Sequence, residues 1–122
     1  MRLLVVDDSA VTRAMIKRTV AAAGLPVFAV DEASDGQAAI RALALRGADL
    51  LITDLNMPGM NGIELIKQVR TLPAYKFLPI LFLTTESQQS RKAEAKAAGA
   101  SGWIVKPATA DDLLNTIKLV IR

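Results

Sequence analysis

Short runs of β-branched and apolar residues alternate five times with longer amphipathic stretches, and that alternation limits the folds open to this chain more than any other feature. The short runs cover residues 3–6, 27–30, 49–53, 79–84 and 102–105; stretches of helical period follow at about 11–23, 36–46, 62–72, 88–98 and 110–121. Gly24, Gly47 and Gly99 stand where helices should end, and Pro26 reinforces the first stop. Asn61 with Glu64 and Thr109 with Asp112 have the spacing of capping boxes, so two helix starts are marked as well. Runs such as Ile80-Leu81-Phe82-Leu83 are apolar on both faces and need cover on both sides, which a parallel sheet flanked by helices supplies. The pattern predicts a doubly wound α/β fold with a five-stranded parallel sheet and five helices. A single domain over 1–122 is expected, because no repeat, linker or low-complexity tract interrupts the alternation.

Composition narrows the chemistry. An apolar fraction of 52% beside 22% charged residues excludes a disordered, solvating segment. The absence of Cys excludes disulfides and thiolate metal sites and fits a reducing compartment, so a cytoplasmic location is expected. No apolar run approaches the ~20 residues that span a bilayer, and Arg2 followed by a short run into Asp7 and Asp8 is unlike an export signal; no membrane insertion is expected. The net charge of +3 is scattered rather than gathered into a basic stripe, so no nucleic-acid partner is expected. With no His in the chain, phosphoryl or proton chemistry here proceeds without an imidazole of its own.

In open α/β sheets the working crevice lies beyond the carboxyl ends of the strands. Strand one runs into Asp7-Asp8, strand three into Asp54, strand four into Thr84-Thr85 and strand five into Lys106. Each has an ordinary structural explanation. Asp8 or Ser9 can cap the first helix, Asp54 can open a turn before Met57-Pro58-Gly59, Thr84 suits a strand, and Lys106 can be a solvated lysine. Together they demand more. If strands one and three are neighbours, three carboxylates converge, and each pair at ~4 Å repels by about 4 kcal/mol at an effective dielectric of about 20. Proton uptake is one form of relief; a hard divalent cation satisfies all three at once, and Mg²⁺ suits one or two carboxylates completed by waters and a phosphate. Mg²⁺ is therefore expected, with Mn²⁺ as its substitute. With that charge neutralised, Asp54 can act as a nucleophile toward phosphorus while Lys106 and the Thr84 hydroxyl bind the remaining oxygens. The acyl phosphate so formed adds a charge of about −1.5 to −2 and gives the domain two chemical states.

Asp7-Asp8, then Leu51-Ile52-Thr53-Asp54-Leu55-Asn56-Met57-Pro58-Gly59-Met60-Asn61-Gly62, then Leu83-Thr84-Thr85, then Gly99-Ala100-Ser101-Gly102-Trp103-Ile104-Val105-Lys106-Pro107 together resemble the receiver domains of bacterial response regulators across nearly the whole chain. The resemblance implies a flavodoxin-like strand order 2-1-3-4-5. It implies Asp54 as phosphoacceptor, Asp8 and Asp54 as direct metal ligands, Asp7 as a ligand through water and Asn56 as a ligand through its backbone carbonyl. Lys106 and Thr84 become the phosphate-sensing pair, and the Lys106–Pro107 bond is expected to be cis. Asn56 and Glu86 hold the positions that tune loss of the phosphoryl group, in a pairing similar to the chemotaxis CheY type, and quick intrinsic dephosphorylation is expected from it. Trp103 holds the aromatic switch position, although it reads equally as a packing ring on an edge strand. Ala108 departs from the larger residue common after Lys-Pro in receivers.

The same resemblance implies a monomeric signalling domain that catalyses its own phosphorylation and dephosphorylation rather than an enzyme acting on a separate substrate. A CheA-like sensor histidine kinase is the expected donor. A downstream target, with a flagellar motor switch protein as the chemotaxis form, is expected to dock on helix four, strand five and helix five. One alternative is a free-standing or excised receiver of another two-component or phosphorelay pathway. Another is a Mg²⁺-dependent aspartyl-nucleophile phosphatase, against which stand the adjacency of Asp7 and Asp8 and the lack of length for a substrate cap. A flavin-binding module would need a phosphate cradle after strand one, where Asp7-Asp8 would repel the phosphate.

Overall fold

A computed structural model of the chain describes residues 1–25, 27, 29–57, 59–85, 90–106 and 109–121. The elements run β1 (Arg2–Val6), α1 (Ala10–Ala22), β2 (Ala29–Ala33), α2 (Gly36–Leu45), β3 (Leu50–Asp54), α3 (Gly62–Thr71), a 3-10 turn (Pro73–Tyr75), β4 (Ile80–Thr84), α4 (Lys92–Ala98), β5 (Gly102–Val105) and α5 (Ala110–Val120). All strand pairs are parallel, and the five strands lie in the order β2-β1-β3-β4-β5. The doubly wound fold expected from the alternation is the one observed.

Adjacent side chains of a strand face opposite sides of the sheet, and the central strands divide their residues accordingly. Leu4, Val6, Leu51, Ile80 and Phe82 enter one core with Ala39 and Leu43 of α2, Ile63, Ile66 and Val69 of α3, and Ala95 of α4. Leu3, Val5, Leu50, Ile52, Leu81 and Leu83 enter the other with Ile16 and Val20 of α1 and Leu113 and Ile117 of α5. A side chain of this size contributes roughly 1.5–3 kcal/mol when fully buried, so both layers are strongly held to the sheet.

The helix signals were legible at both ends. Gly24, Gly47 and Gly99 all adopt positive φ. At Gly99, with φ of +114°, the backbone itself favours glycine, and a Cβ would also lie 2.8 Å from the Arg70 side chain, which would have to shift. Asn61 and Glu64 form the reciprocal capping box at the start of α3, and the Thr109 side chain accepts from the Asp112 N–H at 3.0 Å to start α5.

Two boundaries differ in an informative way. The second strand was expected at 27–30 and lies at Ala29–Ala33, because Asp31 and Glu32 interrupt the apolar run yet belong to the strand. Their charge is tolerated on this edge strand because each carboxylate is paired: Asp31 with Arg2 and Arg46, Glu32 with Arg13 and Lys17. Burial alone would raise the Asp31 carboxyl, but the two guanidinium groups hold it below its ordinary value. The third strand begins one residue later than expected and extends through Asp54, so the candidate acceptor is the last residue of β3 itself. α4 is observed from Lys92, and residues 88 and 89, where its start was expected, lie outside the described residues.

Candidate functional site

Parallel winding brings the carboxyl ends of β1, β3, β4 and β5 to one rim. Asp7 follows β1, Asp54 ends β3, Thr84 ends β4 and Lys106 follows β5. Carboxylate oxygens of Asp7, Asp8 and Asp54 all lie within 4.8 Å of one another. Asp7 and Asp54 are buried, whereas Asp8 is exposed, so the cluster opens to solvent on one side.

Asp7 is held at every polar atom. Its N–H donates to the Ala33 carbonyl at 3.1 Å, and its carbonyl accepts from the Arg13 guanidinium. Carboxylate Oδ1 accepts from the Ser9 N–H at 2.8 Å, and Oδ2 accepts from the Lys106 ammonium at 3.0 Å. Both Asp7 oxygens are thus engaged by donors of the protein. Ser9, not Asp8, caps α1, its Oγ accepting from the Thr12 N–H at 3.3 Å. The capping explanation for Asp8 is therefore set aside, and its carboxylate remains at the mouth of the cluster.

Lys106 also lies 3.5 Å from Asp54 Oδ1, so one ammonium is shared between Asp7 and Asp54. Its own N–H donates to the Thr84 carbonyl, which ties the end of β5 to the end of β4. Burial pushes the Asp54 carboxyl above its ordinary value; Lys106 pulls it down, and the Asp7 charge raises it again. Burial and the neighbouring Asp7 charge thus disfavour the ionised form of Asp54, and the Lys106 ammonium offsets only part of that. The Thr84 hydroxyl is buried and has no hydrogen-bond partner among the described residues. An unpaired buried hydroxyl costs about 1–3 kcal/mol, so Thr84 is a donor in want of an acceptor near this rim.

The donor set suits a small hard dication. The ligand atoms are carboxylate oxygens, they are close enough to share one ion, and one side is open to water and a further anion. Asp8 and Asp54 have the greater spare capacity, since both Asp7 oxygens already accept from protein donors. Asn56 is exposed in the loop after Asp54. Glu86, Pro107 and Ala108 lie outside the described residues, and with them the expected tuning residue, the isomer of the Lys106–Pro107 bond and the packing after it.

Trp103 sits on the edge strand β5 with its ring centroid 5.8 Å from that of Phe82 and the planes tilted by 58°. Its indole N–H is buried and lacks a partner among the described residues. This ring contact is what the reading as a packing ring requires, and it leaves the reading as a switch aromatic open.

Two contributors escaped the sequence reading. Gly62, read only as a helix start, packs so closely that a Cβ would lie 2.4 Å from the Asp54 carbonyl oxygen and 2.6 Å from Phe82. Arg13, read as one of many scattered cations, donates to the backbone of Asp7. The available signal for Arg13 was its place one turn after the Ser9 cap, on the helix face next to the strand tips.

Comparison with known proteins agrees with this geometry. Residues 3–118 match the response regulator receiver domain. The chain is 40% identical over 122 residues to the chemotaxis protein CheY of Pseudomonas aeruginosa, covering 100% of this chain and 97% of that one. It is 41% identical to the chemotaxis protein CheY1 of Helicobacter pylori, covering 99% and 97% of the two chains. The solved structure of the chemotaxis response regulator CheY4 of Vibrio cholerae superposes with a TM-score of 0.88 at 44% identity, covering 98% of this chain and 97% of that one. A five-stranded 2-1-3-4-5 sheet, an acidic cluster at its carboxyl rim and full-length similarity to these proteins place this chain in the response regulator receiver family.

Proposed function

We propose that this CheY-type, phosphorylation-activated switch takes its phosphoryl group on Asp54. The observation that carries the reading is the placement of a buried Asp54 carboxylate between two further carboxylates and the Lys106 ammonium, beside an unpartnered Thr84 hydroxyl. An Asp54 carboxylate oxygen attacks phosphorus, the bond from phosphorus to the donor's leaving group breaks, and that group departs with the bonding electrons. Lys106 neutralises a phosphoryl oxygen, and the Thr84 hydroxyl gains the acceptor it lacks. Because the chain has no His, a phosphohistidine donor must come from a partner, which favours a histidine kinase.

Asp8 and Asp54 would hold Mg²⁺ directly, with Asp7 acting through water and Asn56 through its carbonyl. The cation, when bound, offsets charge on the acidic cluster and on the incoming phosphoryl oxygens. Asn56 and Glu86 are assigned to tuning hydrolysis of the acyl phosphate, and Trp103 with Thr84 to the conformational response. We assign the chain one domain and a chemotaxis role, the latter supported by chemotaxis relatives at 40% identity over the full chain. The kinase is then CheA-like and the target a flagellar motor switch protein. A groove of about 270 Å³ lined by Lys92, Lys96, Ala100, Ser101, Gly102 and Trp103 supports docking beside α4 and β5.

Intact-mass measurement after incubation with Mg²⁺ and a small acyl-phosphate donor tests the central step. One labile phosphoryl addition is expected in the parent and none in Asp54→Asn. Equal addition to both proteins, or none to the parent, overturns the assignment. Capture of a motor switch protein by the phosphorylated form alone tests the chemotaxis role.

A further inference from the structure

We infer that Arg13 is a positioning residue for the cation site, a proposal that rests on the reading of the acidic cluster given above. Arg13 Nη1 donates to the Asp7 carbonyl, while its Nε donates to Glu32 Oε1 at 3.0 Å on β2. The second Glu32 oxygen is paired with Lys17 at 3.2 Å. One guanidinium therefore clamps the tip of β1 to the neighbouring strand from its place on α1.

The consequence runs through the peptide plane. The Asp7 carbonyl and the Asp8 N–H belong to one rigid planar unit, so fixing the carbonyl fixes the plane from which Asp8 projects. Asp8 is the exposed member of the cluster. Its direction relative to Asp54 thus depends on a bond made by neither residue's side chain. The Glu32 end is partly exposed and contributes little stability by itself. Its use is to hold the guanidinium at the angle that serves Asp7. Only a planar fork can serve both ends at once; a lysine keeps the charge but offers a point donor.

Geometry and charge predict opposite results, which makes the inference testable. A cation near the cluster is repelled by the Arg13 charge, so if charge alone mattered, removing it would tighten cation binding and Arg13→Lys would change nothing. If the clamp matters, Arg13→Lys and Arg13→Ala both bind more weakly, by about tenfold as for other residues that orient metal ligands. Calorimetric Mg²⁺ titration of the parent, both variants and Arg46→Ala decides between them. Arg46→Ala removes an ion pair to Asp31 on the same strand without touching Asp7, so its affinity should match the parent. Far-ultraviolet circular dichroism checks folding; if Arg13→Ala is unfolded, Arg13→Lys decides alone. Parental affinity in Arg13→Lys, tighter binding in Arg13→Ala, or an equal loss in Arg46→Ala overturns the inference. A parent protein that binds no divalent cation overturns the cation site itself.

Discussion

At the amino ends of the strands, Arg2 and Arg46 each take one oxygen of Asp31, at 2.9 and 3.0 Å, and the Arg2 N–H donates to Asp49 at 2.7 Å. Nearby, Arg70 donates to the carbonyls of Tyr75 at 2.9 Å and Gly99 at 2.6 Å, and the Tyr75 hydroxyl donates to the Leu43 carbonyl at 3.0 Å. At the carboxyl ends, three carboxylates gather, Asp7 and Asp54 share one ammonium, and a buried hydroxyl lacks an acceptor. The same sheet thus has one end where polar groups close on one another and one end where they wait for something from outside. A closed network serves stability, because the groups that form it satisfy one another. An open one stores unfavourable charge that a ligand or a covalent modification can relieve.

The largest test of that contrast is Arg70→Ala. Burial already lowers the Arg70 pKa, and removing the side chain strands two carbonyls and opens space beside Gly99. A loss of about 3 kcal/mol is expected in chemical denaturation, since bonds to charged groups contribute about 1.5–3 kcal/mol each. Mg²⁺ affinity should be unaltered; a change in it would break the division between the two ends.

Lys106→Met probes the other end. It leaves Asp7 and Asp54 facing one another with no shared cation, and because the Lys106 side chain is 26% exposed the expected loss is smaller, about 2 kcal/mol without divalent ions. Millimolar Mg²⁺ should restore most of it. A variant that is equally unstable with and without Mg²⁺ would show that the rim does not depend on added charge.

Asp54→Asn should act in the opposite direction and by least. With its carboxyl raised by burial, folded Asp54 keeps its proton at pH values where the unfolded chain has released one. The contribution of Asp54 to the parent's stability therefore falls as pH rises from the ordinary aspartate range through the raised folded value, and the penalty persists above it. The asparagine variant lacks this fall. In metal-free buffer at neutral pH it should be more stable by about 1 kcal/mol, or about 4 °C in Tm, and Mg²⁺ should narrow the gap. Asp31 and Glu32, held low by their cations, act with the opposite sign in both proteins, so the test is the difference: a parent that gains stability relative to Asp54→Asn as pH rises through that range would contradict the raised carboxyl.

The two ends also differ in how far sequence reveals them. Strand-tip residues are fixed by period and punctuation, so Asp7, Asp54, Thr84 and Lys106 could be placed on one rim once five β-α pairs were counted. Their convergence needed strands one and three to be neighbours as well, an order that the resemblance to receiver domains implied. The partners at the amino ends are joined by long-range contacts, such as Arg70 to Gly99 and Tyr75 to Leu43, for which no local spacing exists. Asp31 and Glu32 hid the far end of the second strand for the same reason: charge argues against a strand until the opposing Arg and Lys side chains are known. Arg13 and Gly62 were missed because one acts through a backbone carbonyl and the other through the absence of a side chain.

β3 lies in the middle of the sheet, laddered to β1 on one side and to β4 on the other. A carboxylate at its tip cannot travel without shearing both ladders, so charge acquired there behaves as a fixed post rather than a lever. β5, by contrast, is joined to the sheet along one side only. If Asp54 is the acceptor proposed above, a signal from it would travel outward, from the doubly laddered centre to a border strand held on one side only.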